Sequence, residues 1–118
     1  MEDIRELSLK IGNFVEGFIV YNLNIADKHS SLYVTNNYSI ENYRKVYDEE
    51  KTKEIVETIK KIDIDSWDQS YFNDDYNVDG KHWSVALKKY SGLKESNGIN
   101  EYPQTFEVLI KLFEDLQN

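Results

Sequence analysis

No cysteine occurs anywhere in the 118 residues, which excludes a disulfide framework, a thiolate metal site and a cysteine nucleophile. Proline occurs once, at position 103, and no linker, repeat or low-complexity segment interrupts the chain. No apolar run approaches the roughly 20 residues needed to cross a bilayer. The opening residues, Met1-Glu-Asp-Ile-Arg-Glu, are charged and are not followed by the apolar stretch of a secretory signal. A cytoplasmic protein without a membrane anchor is expected, folded as one domain over residues 1–118 around one core. Lysine and arginine are missing between Ile62 and Gly80, and that local absence is the most informative one.

The same stretch holds six aspartates, Asp63, Asp65, Asp68, Asp74, Asp75 and Asp79, interleaved with Trp67, Tyr71, Phe72 and Tyr76. The formal charge is −8, and residues 41 to 80 carry 12 acids against 6 bases, whereas residues 81 to 118 carry 5 of each. The acidity is therefore regional. A field of this sign repels DNA, RNA and anionic lipid, so direct nucleic-acid or membrane binding is not expected, and a basic protein is the natural complement. Solubility alone is the competing explanation of such an excess. Carboxylates steer a basic partner and flat side chains supply buried contact area, so Asp68, Tyr71, Asp74, Asp75 and Tyr76 are the candidate partner-binding residues.

Leu7, Leu9 and Ile11 alternate with polar neighbours, as do Ile19, Tyr21, Leu23 and Ile25, which is the period of half-buried strands. Turn signals at Gly12-Asn13 and Asp27-Lys28-His29-Ser30 separate them from each other and from Leu32-Tyr33-Val34-Thr35, predicting an antiparallel meander. Tyr43 to Tyr47 fits both periods and is read as a fourth strand. Asp48 then has the chemistry of an N-cap, with Glu49 and Glu50 where a helix dipole favours negative charge. Ile55, Ile59 and Ile62 continue at helical spacing, so this helix packs on the sheet. Trp83, Val85 and Leu87 form the inward side of a further strand. Ser91-Gly92 and Asn97-Gly98 then bracket a hairpin with a short, polar second strand. Pro103 is expected to open the last helix, whose apolar stripe is Phe106, Leu109, Ile110, Phe113 and Leu116. The fold class predicted is α+β, with an amino-terminal antiparallel sheet of three to four strands, a helix, a β-hairpin and a closing helix.

Catalytic and metal-binding patterns are weak. Asp75-Tyr-Asn77-Val-Asp79-Gly80 reproduces the first half of a calcium loop, but the twelfth position, which needs a bidentate Glu, is Ala86. Asn and Asp before Gly are ordinary turn formers, so no metal or cofactor is expected. His29 and His82 have no metal-type spacing, and Ser30 and Ser31 beside His29 come with no nucleophile elbow or ordered acid partner. Asp74 and Asp75 resemble a carboxylate pair, yet adjacent residues on a loop point apart and lack a cleft. Nine tyrosines, with Tyr38, Tyr43, Tyr47, Tyr71 and Tyr76 outside the strongest core patterns, suit either a recognition surface or a pleated sheet.

The run Trp67-Asp68, then Asp79-Gly80-x-x-Trp83-Ser-Val-x-Leu-x-x-Tyr90-x-Gly92, then Gly98-x-Asn100-x-Tyr102-Pro103-x-x-Phe106-x-x-Leu109 resembles the carboxy-terminal half of a group of small bacterial and phage proteins. The resemblance covers roughly the last 50 residues as a turn, strand, turn and helix unit of structural residues. It implies no catalytic residue and no activity. The expected function is that of a non-enzymatic acidic inhibitor of a basic, nucleic-acid-handling protein, as in phage anti-defence proteins such as anti-CRISPRs. An immunity protein neutralising a toxin or nuclease would use the same electrostatics, and a small hydrolase or Ca²⁺-dependent module is a third reading. The oligomeric state is not set by any of these features.

Overall fold

The computed structural model describes residues 3–36, 39–72 and 81–118. Strands β1 (Ile4–Asn13), β2 (Gly17–Ile25), β3 (Ser30–Asn36) and β4 (Ser39–Tyr47) follow one another as the expected antiparallel meander. The ambiguous Tyr43 to Tyr47 stretch is strand. Its inward residue Tyr47 is buried and donates its hydroxyl to the Leu116 carbonyl at 2.6 Å. Tyr47 is thus core and not a surface tyrosine. Its side chain lies under the end of the last helix, a contact between residues 69 positions apart that no local period reveals.

Helix α1 (Glu49–Ile62) starts as its sequence dictates. Asp48 accepts the Lys51 N–H at 2.8 Å, Glu49 and Glu50 occupy the first turn, and Lys60 and Lys61 the last, matching the charge preference of both helix ends. Ile55, Val56, Ile59 and Ile62 are buried on the sheet. Asp63 closes the helix in the left-handed conformation, φ 55°, its N–H donating to the Lys60 carbonyl. A single 3₁₀ turn, Ile64–Ser66, follows.

The sheet is larger than the sequence predicts. β6 (His82–Lys89) pairs antiparallel with β1, placing Leu7 opposite Leu87, Leu9 opposite Val85 and Ile11 opposite Trp83. The carboxy-terminal hairpin of β6 and β7 (Gly92–Ile99) therefore extends the amino-terminal meander. A short strand, β5 (Ser70–Phe72), adds to β7 in parallel. Among the described residues the result is one seven-stranded mixed sheet in the order β4-β3-β2-β1-β6-β7-β5 with two helices, and the class is α+β. Three local expectations change with it. Asn97-Gly98 lies inside the eight-residue β7 and is no turn. Gly12-Asn13 belongs to β1, and the reversal is made by Phe14–Glu16. Gly12 has φ 153°, and a Cβ there would lie 2.0 Å from the Gly17 carbonyl oxygen. Pro103 precedes α2 (Phe106–Leu116), whose N-cap is Thr105; the Pro103 carbonyl accepts the Phe106 N–H at 3.0 Å.

Both helices cover one face. Ser30 of β3 and Thr52 of α1 share a buried hydroxyl hydrogen bond of 2.8 Å, and Tyr21 of β2 stacks on Phe113 of α2 at 4.7 Å. Between helices and sheet lies the core, with Leu7, Leu9, Leu23, Leu32, Ile62 and Leu109 among residues that lose all solvent contact. Each such side chain contributes about 1.5–3 kcal/mol by leaving water. The other face, carrying Ser8, Lys10, Asn22, Tyr33, Ser84 and Asn97, has no helix over it among the described residues. Among the described residues, no helix is long and apolar enough to cross a membrane.

Candidate protein-binding surface

The acidic, aromatic segment divides where the packing meets it. Trp67 is not a surface residue. It is 4% exposed and sits in an aromatic cluster with Trp83 at 5.9 Å and Phe106 at 6.0 Å. Its indole N–H donates to Thr105 Oγ1 at 2.9 Å, and that hydroxyl donates to the Ile62 carbonyl at 2.8 Å. One side chain thus ties the end of α1 to the start of α2. Trp83, 2% exposed, also packs on Phe106 at 4.8 Å and donates its indole N–H to the Glu101 carbonyl. Aromatic pairs of this kind add about 0.5–1.5 kcal/mol each beyond burial.

Two aspartates have local duties. Asp63 forms the helix end, and its carbonyl accepts both the Ser66 N–H at 3.0 Å and the Ser66 hydroxyl at 2.7 Å. Asp65 forms an ion pair with Lys89. Asp68 differs. Its backbone is held twice, the N–H donating to the Tyr71 hydroxyl at 2.8 Å and the carbonyl accepting the Ser96 hydroxyl at 2.6 Å. The residue itself is exposed and forms no ion pair among the described residues. Its charge is presented to solvent on a fixed backbone.

Tyr71 is half-buried, faces the helix side and packs on Trp83 at 5.8 Å. The next residue, Phe72, points to the open face and is 57% exposed. Gly98 makes this edge close. A Cβ there would lie 2.7 Å from both Trp83 Nε1 and the Tyr71 carbonyl oxygen, so any side chain would push β5 off β7. Tyr102, over Trp83 and Phe106, has its phenol pKa raised by burial.

Asp74, Asp75 and Tyr76 lie outside the described residues, as do Asp79, Gly80 and Tyr38. What is described are the positions from which residues 73–80 depart and to which they return. Phe72 pairs with Ile99 on one side of β7, and His82 pairs with Ile99 on the other. Lys81 is fixed just before His82: its N–H donates to Asn100 Oδ1 at 3.1 Å and its carbonyl accepts the Asn100 N–H at 3.1 Å. Both ends thus sit at one end of the sheet, about 10 Å apart across two strand spacings. Ala86, the twelfth position of the half calcium loop, lies in β6.

The histidines do not meet. His29 lies in the turn between β2 and β3, beside the Ile4 end of β1, and His82 pairs with Gly12 near the other end. Among the described residues, no group of three or more His, Asp or Glu is placed to hold a metal. A cavity of about 360 Å³ lined by Ile4, Ile25, Ala26, Thr52, Val56 and Tyr90 opens at the far end. The Thr52 hydroxyl at its edge is already bonded to Ser30.

Sequence reasoning passed over Phe14 and Val15. They are 76% and 74% exposed at the reversal between β1 and β2, at the same end of the sheet as Phe72 and His82. The signal was present: a turn between Asn13 and Gly17 filled with apolar residues where polar ones are usual. No protein-family model matches this chain, and no curated protein matches it.

Proposed function

We propose that this chain is a non-enzymatic binding protein that docks on a basic protein through the β5 edge of the sheet, from Asp68 to the acidic segment 73–80, and acts in the cytoplasm. The observation that supports this reading is the placement of the described residues around that segment. The residues that flank it, Phe72 and His82, pair on either side of β7, and Asp68, exposed farther back along the same edge, has its backbone held by Tyr71 and Ser96. Asp74, Asp75 and Asp79 join Asp68 with no base between them. Carboxylates take the Lys and Arg sites that phosphates otherwise occupy, because those sites recognise anionic oxygens. Binding to a nucleic-acid-handling protein therefore inhibits it, which is the form of the function we favour.

The test is a pull-down from bacterial lysate, followed by binding kinetics with the purified partner. The triple variant Asp68→Lys, Asp74→Lys, Asp75→Lys should keep the parent circular dichroism spectrum. Its affinity should fall at least ~10-fold, about 1.4 kcal/mol, since Lys against Lys or Arg replaces attraction with repulsion. The parent's association rate should fall steeply with salt. A folded triple variant that binds as the parent does removes the acidic surface from recognition.

A further inference from the structure

The registers of five strands bring residues far apart in sequence into one row. Phe18 pairs with Gly12, Gly12 with His82, His82 with Ile99 and Ile99 with Phe72. Paired residues share a face, so these side chains lie on the side of the sheet that the helices leave open. Phe14 closes the row, edge-on to Phe18 at 5.4 Å and to His82 at 5.3 Å. From Phe18 to Phe72 the row crosses four strand spacings, about 19 Å.

Phe14 and Val15 are not needed to make their turn. Asn13 makes it: its side-chain oxygen accepts the Val15 N–H at 3.0 Å and the Glu16 N–H at 2.6 Å, and the residue is only 7% exposed. Two hydrogen bonds to one buried side chain hold the turn, and its tip residues stay largely exposed. A hydrogen-bonded tip that exposes two apolar side chains next to His82, itself about two strand spacings from the exposed Phe72, presents contact area with little conformational freedom left to lose.

We infer that Phe14, Val15 and Phe72 form the apolar anchor of the interface with the basic protein partner. This deepens the proposed function and rests on it. The occupant follows from charge and from where the chain leaves and rejoins the row. Phe72 and His82, which flank residues 73–80 in the sequence, both belong to the row, and residues 73–80 carry three aspartates and no base. A second copy of the chain on this row would bring two such segments together and be repelled. A basic partner with an apolar patch satisfies both features, since acids at a rim speed encounter and an apolar centre slows release.

The experiment places a photo-crosslinking phenylalanine analogue at position 15, 72 or 93 of the full chain. Leu93, 55% exposed at the opposite end of the β6–β7 hairpin, is the control. The partner captured at 15 and 72 is identified and purified, and the Val15→Ser, Phe72→Ser double variant is compared with the parent chain. Expected are crosslinks from 15 and 72 but not 93, and at least ~10-fold weaker affinity through faster dissociation, with the salt dependence of association unchanged. Crosslinks only from 93, only to a second copy, or only to residues 73–80 of the same chain overturn the inference. So does a double variant with parental affinity. If a partner binds and only the lysine variants lose it, the proposed function stands and this inference alone falls. If the parent chain binds no protein, both fall.

Discussion

The two faces of this sheet use the same residue types for opposite ends. On the covered face, Trp83, Tyr71 and Tyr47 are packed and their polar atoms are spoken for: indole to Glu101, hydroxyl from the Asp68 N–H, hydroxyl to Leu116. On the open face, Tyr33 lies beneath the Arg44 guanidinium at 5.3 Å, 39% exposed, and Phe72 is more exposed still. Tyr71 and Phe72 are neighbours in sequence, yet one fixes the edge strand and the other is offered outward. Along β5 an aromatic side chain is structural or available according to strand parity, and composition alone cannot assign it.

The covered face depends most on Trp83. Its replacement by Ala should cost about 3–5 kcal/mol, because it empties the centre of the cluster with Trp67, Tyr71, Tyr102 and Phe106. Denaturant unfolding with an unchanged midpoint would mean that the faces are reversed. A smaller effect separates the two tyrosines. Tyr47→Phe should lose about 1 kcal/mol through the unpaired Leu116 carbonyl, while Tyr33→Phe should stay within about 0.5 kcal/mol.

Tyr47 also carries a pH signature. Burial, aided by Tyr43, raises its pKa from 10.0 to about 12. The folded chain holds that proton above the pH at which the unfolded chain releases it. The contribution is therefore complete below pH 10 and is lost as pH rises towards 12. Denaturation midpoints at pH 9 and pH 11 should differ more for the parent than for Tyr47→Phe. The smallest effect is expected on the open face: Phe72→Ser should shift stability by no more than about 0.5 kcal/mol, by the same unfolding assay, so that any change in binding is a change in contact.

Much of the covered face was legible. The alternation through Leu7 and Leu9, the Asp48 cap and the stripe from Phe106 to Leu116 each encode their own local outcome, because period and capping act over a few residues. The candidate surface was legible only in its charge. Asp68 and Phe72 proved exposed, but Trp67 and Tyr47 joined the core, and Phe14 and Val15 were missed because each looks unremarkable until strands from both halves of the chain meet.

The α+β class, the helices, most strands and the regional negative charge can be read from the residues alone, since these follow from side-chain period, end chemistry and count. That β1 pairs with β6, that β5 joins β7 in parallel, and that Phe14, Phe18, His82, Ile99 and Phe72 share one row emerges only when the chain is folded. The physical reason is that pairing between distant strands leaves no local period. The backbone hydrogen bonds that choose it are the same for every residue type, and register is set by how the whole buried face fits together.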